Sequence, residues 1–229
     1  MNSFLRSSIG QKLFMSLTGF FLLAFLLVHL VLNSLLIFDD SGDLYNQGAH
    51  FMAVNPIIKI VEPVLAIGFI LHMFYASILT IQNLKTRPKN YSTLNMGKSS
   101  TWASRNMYIL GALILIFLAG HLVNFYWKIK FTGDPLLAEV NINGEHMENA
   151  YALVTGLFLK WKWCVALYVA GAVVLGLHLY HGFWSAFQTI GWSNKIWQKR
   201  LKVIGILYSL LIAGGYSFIP LWILIKSLI

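Results

Sequence analysis

Five long apolar segments make up most of this chain and restrict it to a membrane fold. Each contains the roughly 20 mainly apolar residues that a helix needs to cross a bilayer. Of the 229 residues, 58% are hydrophobic and only 11% are charged, which excludes an ordinary soluble domain. The sequence therefore predicts an all-α membrane protein, in which residues 1–229 form one bundle of five transmembrane helices. These helices are expected at about 12–37, 57–83, 103–127, 161–187 and 201–227.

The charges are divided unevenly between the two ends of such a bundle. If the chain crosses the membrane five times, all eight acidic residues lie on one side: Asp39, Asp40, Asp43, Glu62, Asp134, Glu139, Glu145 and Glu148. The opposite side has no acid and carries Arg6, Lys12, Lys85, Arg87, Lys89, Lys98, Arg105, Lys195, Lys199, Arg200 and Lys202. By the positive-inside rule we expect a cytoplasmic N-terminus and an external C-terminus. Membrane topology thus explains the net charge of +9, and nucleic acid is not indicated as a partner.

The chain lacks the residues that several common redox cofactors require. Its single cysteine, Cys164, permits neither a disulfide framework nor an iron–sulfur cluster. No glycine-rich phosphate loop follows a strand-like stretch, so no nucleotide or flavin fold is indicated. Chemistry that needs those groups would have to come from partner subunits.

A histidine lies inside each of the first four apolar segments: His29, His72, His121 and His178. An ionisable side chain is costly within a membrane and by default indicates a functional site. A single intramembrane histidine can serve as a hydrogen-bonding residue between helices. Four on separate helices favour a set of metal ligands. The alternative to a metal-binding protein is a small transporter that uses the histidines as a proton relay.

The first four segments resemble two copies of one two-helix unit. The shared patterns are Gly19-x9-His29 with Gly111-x9-His121, and Leu71-His72 with Leu177-His178. His178 and His181 lie three residues apart on neighbouring parts of one helix face, so spacing alone does not choose between them. The repeat aligns His178 with His72 and leaves His181 opposite Tyr75.

The depths of the four histidines place them at two levels. Counted at the helical rise, His29 and His121 lie ~26 and ~27 Å from the cytoplasmic ends of their segments. His72 and His178 lie ~16 and ~15 Å from those ends. Pairing His29 with His121 and His72 with His178 therefore gives two bis-histidine sites, ~10 Å apart along the membrane normal.

Two such sites suit two b-type haems. Imidazoles on both sides of an iron leave no open position for a substrate, which indicates electron transfer rather than oxygen chemistry. Glycine allows a backbone to approach a flat macrocycle closely. The candidate positions are Gly19 and Gly111, together with Gly68, Gly120, Gly171, Gly176 and Gly182.

At these residues the chain resembles the cytochrome b subunit of succinate:quinone oxidoreductases, in the single-chain type with five helices and two haems. The resemblance covers the entire length through helix count, orientation and one histidine in each of the first four helices. The most specific motif is His178-x3-Gly182-Phe183-Trp184-Ser185 followed by Gly191, which looks like the family's fourth ligand and its flank. The segment Ala49-His50-Phe51-Met52, with Pro56 and Glu62, is similar to the loop before helix 2 in this type.

This resemblance implies the membrane subunit of a succinate dehydrogenase or fumarate reductase in a bacterial cytoplasmic membrane. A flavoprotein subunit and an iron–sulfur subunit would dock on its basic cytoplasmic face, and the subunit would not be catalytic alone. Electrons would pass through the haem of His72 and His178, then that of His29 and His121, to or from a quinone near the outer face. Menaquinone is the usual quinone in this type.

The resemblance also implies where the quinone and the haem propionates would bind. His50 and Glu62, at the outer ends of the helices, are candidate proton partners for the quinone. At the cytoplasmic end, Ser16, Thr18 and Arg105 are placed to donate hydrogen bonds to the propionates of the lower haem.

A second redox interpretation is the cytochrome b subunit of a formate dehydrogenase, hydrogenase or nitrate reductase. Such subunits also use histidines on membrane helices to carry electrons to quinone, and they differ in which soluble enzyme docks.

The chain departs at one position from the pattern of the succinate-type family. Gly176 stands two residues before the fourth ligand, where some relatives carry a proton-conducting glutamate.

Overall fold

The computed structural model describes residues 7–86, 101–192 and 194–228. Its helices, in chain order, are α1 (Ser8–Phe38), α2 (Asp43–Val54), α3 (Pro56–Thr86), α4 (Trp102–Arg105), α5 (Met107–His121), α6 (Ala150–Lys160), α7 (Trp163–Thr189) and α8 (Lys195–Lys226). Two π-helical turns, Leu122–Tyr126 and Lys128–Thr132, extend α5. The helices α1, α3, α5 with its π turns, α7 and α8 are long and apolar enough to cross a membrane. The prediction of an all-α bundle with five membrane-spanning helices is confirmed.

Capping residues explain why two of these helices begin earlier than predicted. Ser7 accepts a hydrogen bond from the backbone N–H of Gly10 at 3.0 Å, so α1 begins at Ser8 rather than near residue 12. Asn194 accepts hydrogen bonds from the N–H groups of Ile196 and Trp197, and α8 therefore begins at Lys195. Residues just before the predicted segments 12–37 and 201–227 thus form the first turns of the spanning helices.

The third span is less regular than its hydropathy predicts. A short helix, α4, precedes it, and Asn106 with φ −107° separates that helix from α5. Beyond His121 the backbone changes to π-helical turns, which end at Gly133 in the left-handed conformation with φ +57°. Single π turns occur frequently at functional sites.

The first four spanning helices form a ring. The main contacts join α1 to α3, α5 to α7 and α1 to α7, with a weaker contact between α3 and α5. Helices α1 and α5 therefore face each other across the bundle, and so do α3 and α7. Helix α8 packs outside this ring, mainly against α7 and also against α1.

Most of the apolar core lies where α8 meets α1 and α7. It includes Leu30, Val165, Leu179 and Ile212. Helix α3 contributes no buried apolar side chain to the part of the chain that the structure describes. The inner side of α3 is instead half-buried along much of its length.

The two ends of the bundle differ in charge, as predicted. All eight acidic residues lie at the end where α1 and α5 finish and α3 and α7 begin, which we call the acidic end. The opposite end, called the basic end, carries Lys12, Lys85, Arg105, Lys195, Lys199, Arg200 and Lys202. Of the basic residues predicted for that end, Arg6, Arg87, Lys89 and Lys98 lie outside the described residues.

The acidic end carries a folded cap. It consists of α2, a 3-10 turn at Pro135–Leu137, the antiparallel strands β1 (Glu139–Ile142) and β2 (Glu145–Glu148), and α6. Asn46 of α2 is buried; it accepts a hydrogen bond from Tyr151 N–H at 2.8 Å and donates one to Asn149 at 3.3 Å. Lys226 at the end of α8 pairs with Asp40 after α1. The segment that is similar to the loop before helix 2 thus forms a helix, α2, which is tied to the rest of the cap.

Gly42 provides a test of this cap. Its backbone has φ +82°, and a Cβ atom there would lie 2.3 Å from Cγ of Tyr151. Gly144 has a similar φ of +86° but nothing within 4 Å of such an atom. A left-handed backbone costs alanine about 1–3 kcal/mol at either position. We expect Gly42→Ala to lower the thermal unfolding temperature in detergent more than Gly144→Ala does; equal losses would show that the Tyr151 contact contributes nothing.

Candidate haem-ligating site

The structure brings two of the predicted histidines together across the bundle. His29 of α1 and His121 of α5 have ring centroids 5.9 Å apart, with planes at 83° to each other. They lie on helices that face each other in the ring, so neither could reach the other by local chain geometry. Aromatic rings surround the pair, namely Phe25 and Tyr216 beside His29, and Phe117, Phe125 and Tyr168 beside His121.

The separation of these rings suits ligands on opposite sides of one metal ion. Imidazole nitrogen binds metals at about 2 Å, so two such rings have centroids about 6 Å apart. Nδ1 of His121 is buried and has no hydrogen-bond partner within the described ranges. Those ranges contain no group of three or more histidine, cysteine or acidic side chains that could hold a metal ion. Two imidazoles from facing helices are a donor set that fits haem, whose porphyrin supplies the remaining iron ligands.

The other two histidines occupy matching positions against neighbouring helices. A Cβ atom on Gly19 of α1 would lie 3.7 Å from Cε1 of His72, and one on Gly111 of α5 would lie 3.6 Å from Cε1 of His178. The corresponding distances to Nδ1 are 4.0 Å in both cases. The sequence repeat is therefore also a structural repeat. It places His178, rather than His181, in the position equivalent to His72.

These contacts also give the separation of the two levels. His72 lies beside Gly19, and His29 follows ten residues later on α1, which is ~15 Å of helix. The same spacing separates Gly111 from His121 on α5. The estimate of ~10 Å along the membrane normal, counted from the ends of the predicted segments, stays a prediction.

His72 and His178 differ in their hydrogen bonding. Nδ1 of His72 lies 3.2 Å from Oγ1 of Thr18. Nδ1 of His178 is buried without a hydrogen-bond partner in the described part of the chain. Thr18 was expected to serve a propionate, but the structure places its hydroxyl against the imidazole.

His181 does not share these positions. Its ring packs edge-to-face on Trp184, with centroids 5.0 Å apart. Its Nδ1 is also buried and has no hydrogen-bond partner among the residues described. His181 thus lies next to the lower pair without taking part in the repeated arrangement.

Three of the predicted glycine slots are filled by protein side chains. A Cβ atom would lie 3.2 Å from Phe21 at Gly68, 2.6 Å from Phe117 at Gly171 and 2.7 Å from Ala213 at Gly176. These glycines allow close helix packing against those side chains. Gly120 has nothing within 4 Å of such an atom, and Gly182 has only Met107 at 3.8 Å.

The other two residues predicted to donate hydrogen bonds to haem propionates lie at the basic end, on two helices. Ser16 is buried on α1, with 4% of its surface exposed. Arg105 ends α4 just before the third span. Both positions lie on the side of the lower histidine pair that faces the basic end.

The two quinone candidates at the acidic end lie in different surroundings. Glu62 of α3 accepts a hydrogen bond from Tyr126 at 2.7 Å and pairs with Lys130 at 3.3 Å, both on the π turns that follow α5. Sequence reasoning missed Tyr126 and Lys130, although their spacing of four residues places them on one helix face. His50 instead lines a surface cavity of about 540 Å³ together with Gln47, Phe51, Val54, Glu145, His146 and Met147.

Comparison with protein-family models, curated proteins and solved structures finds no match to this chain.

Proposed function

We propose that this chain is the membrane cytochrome b subunit of a succinate dehydrogenase or fumarate reductase, holding two b-type haems. The observation that carries the proposal is the His29–His121 pair, with ring centroids 5.9 Å apart on facing helices. The matching positions of His72 and His178 against Gly19 and Gly111 support a second site of the same kind.

Aromatic rings surround the upper pair, an environment that suits an apolar cofactor. When bound, haem supplies an iron that changes charge by one electron and, between two imidazoles, has no open position for a substrate. His29 and His121 would hold the upper group, and His72 and His178 the lower one. The half-buried inner side of α3 would be covered by an apolar macrocycle held at His72.

The basic end is the proposed docking face for the flavoprotein and iron–sulfur subunits. Seven described lysine and arginine residues lie there with no acid, and the lone Cys164 cannot form an iron–sulfur cluster. The positive-inside rule places this end in the cytoplasm, with the N-terminus cytoplasmic and the C-terminus external. For a bacterial protein of this kind the membrane would be the cytoplasmic membrane.

The acidic end is the proposed quinone-binding end, with menaquinone as the substrate. Glu62 would exchange a proton with the quinone oxygen, while Tyr126 and Lys130 hold its carboxylate in place. General acid–base transfer needs a titratable group within hydrogen-bond reach of the reacting atom. Glu62 supplies one at the membrane boundary.

Optical spectra of histidine variants test the haem assignment. The wild-type chain should show a Soret band and a dithionite-reducible α-band with two components. His29→Ala and His121→Ala should remove the same component, and His72→Ala and His178→Ala the other. His50→Ala and His146→Ala serve as controls and should keep both. A colourless wild-type protein would contradict the proposal and favour a histidine proton relay.

Leucine substitutions at the repeated glycines test the lower site. A leucine at Gly19 or Gly111 extends past the Cβ contact into the ring of His72 or His178. We expect either variant to lose the lower haem component and keep the upper one. Gly214→Leu, on α8 with nothing within 4 Å, is the matched control. Unchanged haem content in both variants would contradict the packing argument.

A glutamate substitution tests the quinone end. Glu62→Gln keeps an acceptor for Tyr126 but removes the titratable carboxyl. In the assembled complex we expect quinone turnover to fall by about 10²-fold or more. Both haem spectra, and activity with a water-soluble dye, should be unchanged. Glu148→Gln is the control; a loss with His50→Ala but not with Glu62→Gln would move the proton partner to the His50 cavity.

A further inference from the structure

We propose that Thr18 is a positioning residue for His72. Its hydroxyl holds the imidazole as the Nδ1–H tautomer and so leaves the lone pair on Nε2. The structural part of this inference stands on its own, whereas its consequence for iron binding rests on the proposed function.

The hydrogens around Thr18 determine the tautomer. The hydroxyl has one hydrogen and two lone pairs. Its oxygen lies 2.8 Å from the carbonyl oxygen of Phe14, 3.1 Å from that of Met15 and 3.2 Å from Nδ1 of His72. The two carbonyls can only accept, so the single hydrogen is directed towards them. Nδ1 of His72 must then donate to the hydroxyl oxygen.

The opposite arrangement is disfavoured by the same distances. If Nδ1 lacked a hydrogen, Thr18 would have to donate to it at 3.2 Å. The hydroxyl lone pairs would then face the carbonyl oxygens of Phe14 and Met15 at 2.8 and 3.1 Å. Two such contacts between acceptors are unfavourable inside an apolar bundle, because the low dielectric there strengthens the repulsion between them.

Position and packing keep the hydroxyl in this orientation. A threonine in a helix bonds back to the carbonyls three and four residues earlier, and its β-branched side chain has few rotamers. The adjacent Gly19 allows the His72 ring to approach α1, with Cε1 3.7 Å from the position of a Cβ atom. The pair Thr18–Gly19 therefore combines close approach with a fixed acceptor.

The second half of the repeat lacks this hydroxyl. Gly111 corresponds to Gly19, and the residue before it is the buried Leu110 rather than a threonine. Nδ1 of His178 accordingly has no hydrogen-bond partner in the ranges described. The lower site is thus asymmetric, because a threonine hydroxyl faces Nδ1 of His72 and no hydroxyl faces Nδ1 of His178 among the residues described.

Such a partner usually affects metal affinity. A hydrogen bond to the non-ligating nitrogen fixes the tautomer and orientation of a metal-binding histidine, and its loss typically costs 10–100-fold in affinity. We therefore expect Thr18→Val, which removes the hydroxyl at nearly constant volume, to weaken retention of the lower haem by about 10–100-fold. Thr18→Ser should restore it, and the upper haem should not change.

The first experiment measures the tautomer directly. The full chain, produced with ¹⁵N-labelled histidine in cells that make no haem, would be examined by NMR, with His72→Gln used to assign the signal. The wild type and Thr18→Ser should show a proton on Nδ1 of His72, and Thr18→Val should lose this preference. Thr155→Val, which removes a similar back-bonded hydroxyl in α6 at 2.8 Å, is the control.

The outcomes separate the two proposals. If His72 keeps its Nδ1 proton in Thr18→Val, or if that variant loses only the thermal stability that Thr155→Val also loses, the role of Thr18 is overturned. If the tautomer shifts as expected but the wild-type chain binds no haem, the positioning role stands and the proposed function fails. A tautomer shift together with selective loss of the lower haem supports both.

Discussion

A polar group inside a hydrocarbon layer must find its partner within the protein, and the hydrogen bonds between helices in this bundle meet that requirement. The hydroxyls of Tyr208 and Tyr216 on α8 donate to the carbonyl oxygens of Leu23 and Leu26 on α1, at 2.6 and 2.7 Å. The imidazoles of His121 and His178 differ, since each has a buried nitrogen without a partner among the residues described. Such a group costs about 1–3 kcal/mol. This cost is understandable if the rings are retained to bind a cofactor.

Helix α8 carries none of the paired histidines, yet it packs against two of the helices that do, α7 and α1. Gly176 and Gly215 permit close approach to Ala213 and Leu30. Its Tyr216 ring also lies 5.9 Å from the ring of His29. The fifth helix therefore supports the ring of four from one side, while α3 on the opposite side has no buried apolar side chain within the described residues.

Hydropathy was sufficient to predict the five spans, because the requirement for an apolar length of helix is strong and local. The level of each histidine could be estimated from the helical rise, and the pairing of His29 with His121 agrees with the observed ring contact. The cap at the acidic end was not predicted, although Asn143-Gly144 is a characteristic hairpin turn and here has φ of +56° and +86°. The contact between Thr18 and His72 could not be predicted either, since it depends on how two helices rotate against each other. The rotation of each helix about its axis is determined by packing, and a uniformly apolar sequence gives little indication of which side faces a neighbour.

The contact at Gly176 has an electrical consequence. A Cβ atom there would lie 2.7 Å from that of Ala213. Helix α8 therefore occupies the space that an acidic side chain at position 176 would need. With all eight acids at one end, the middle of the membrane offers no carboxylate to carry a proton alongside an electron. Moving one elementary charge across a membrane changes the free energy by about 2.3 kcal/mol for every 100 mV of membrane potential. Under the proposed function, the membrane voltage would therefore assist turnover in one direction and oppose it in the other.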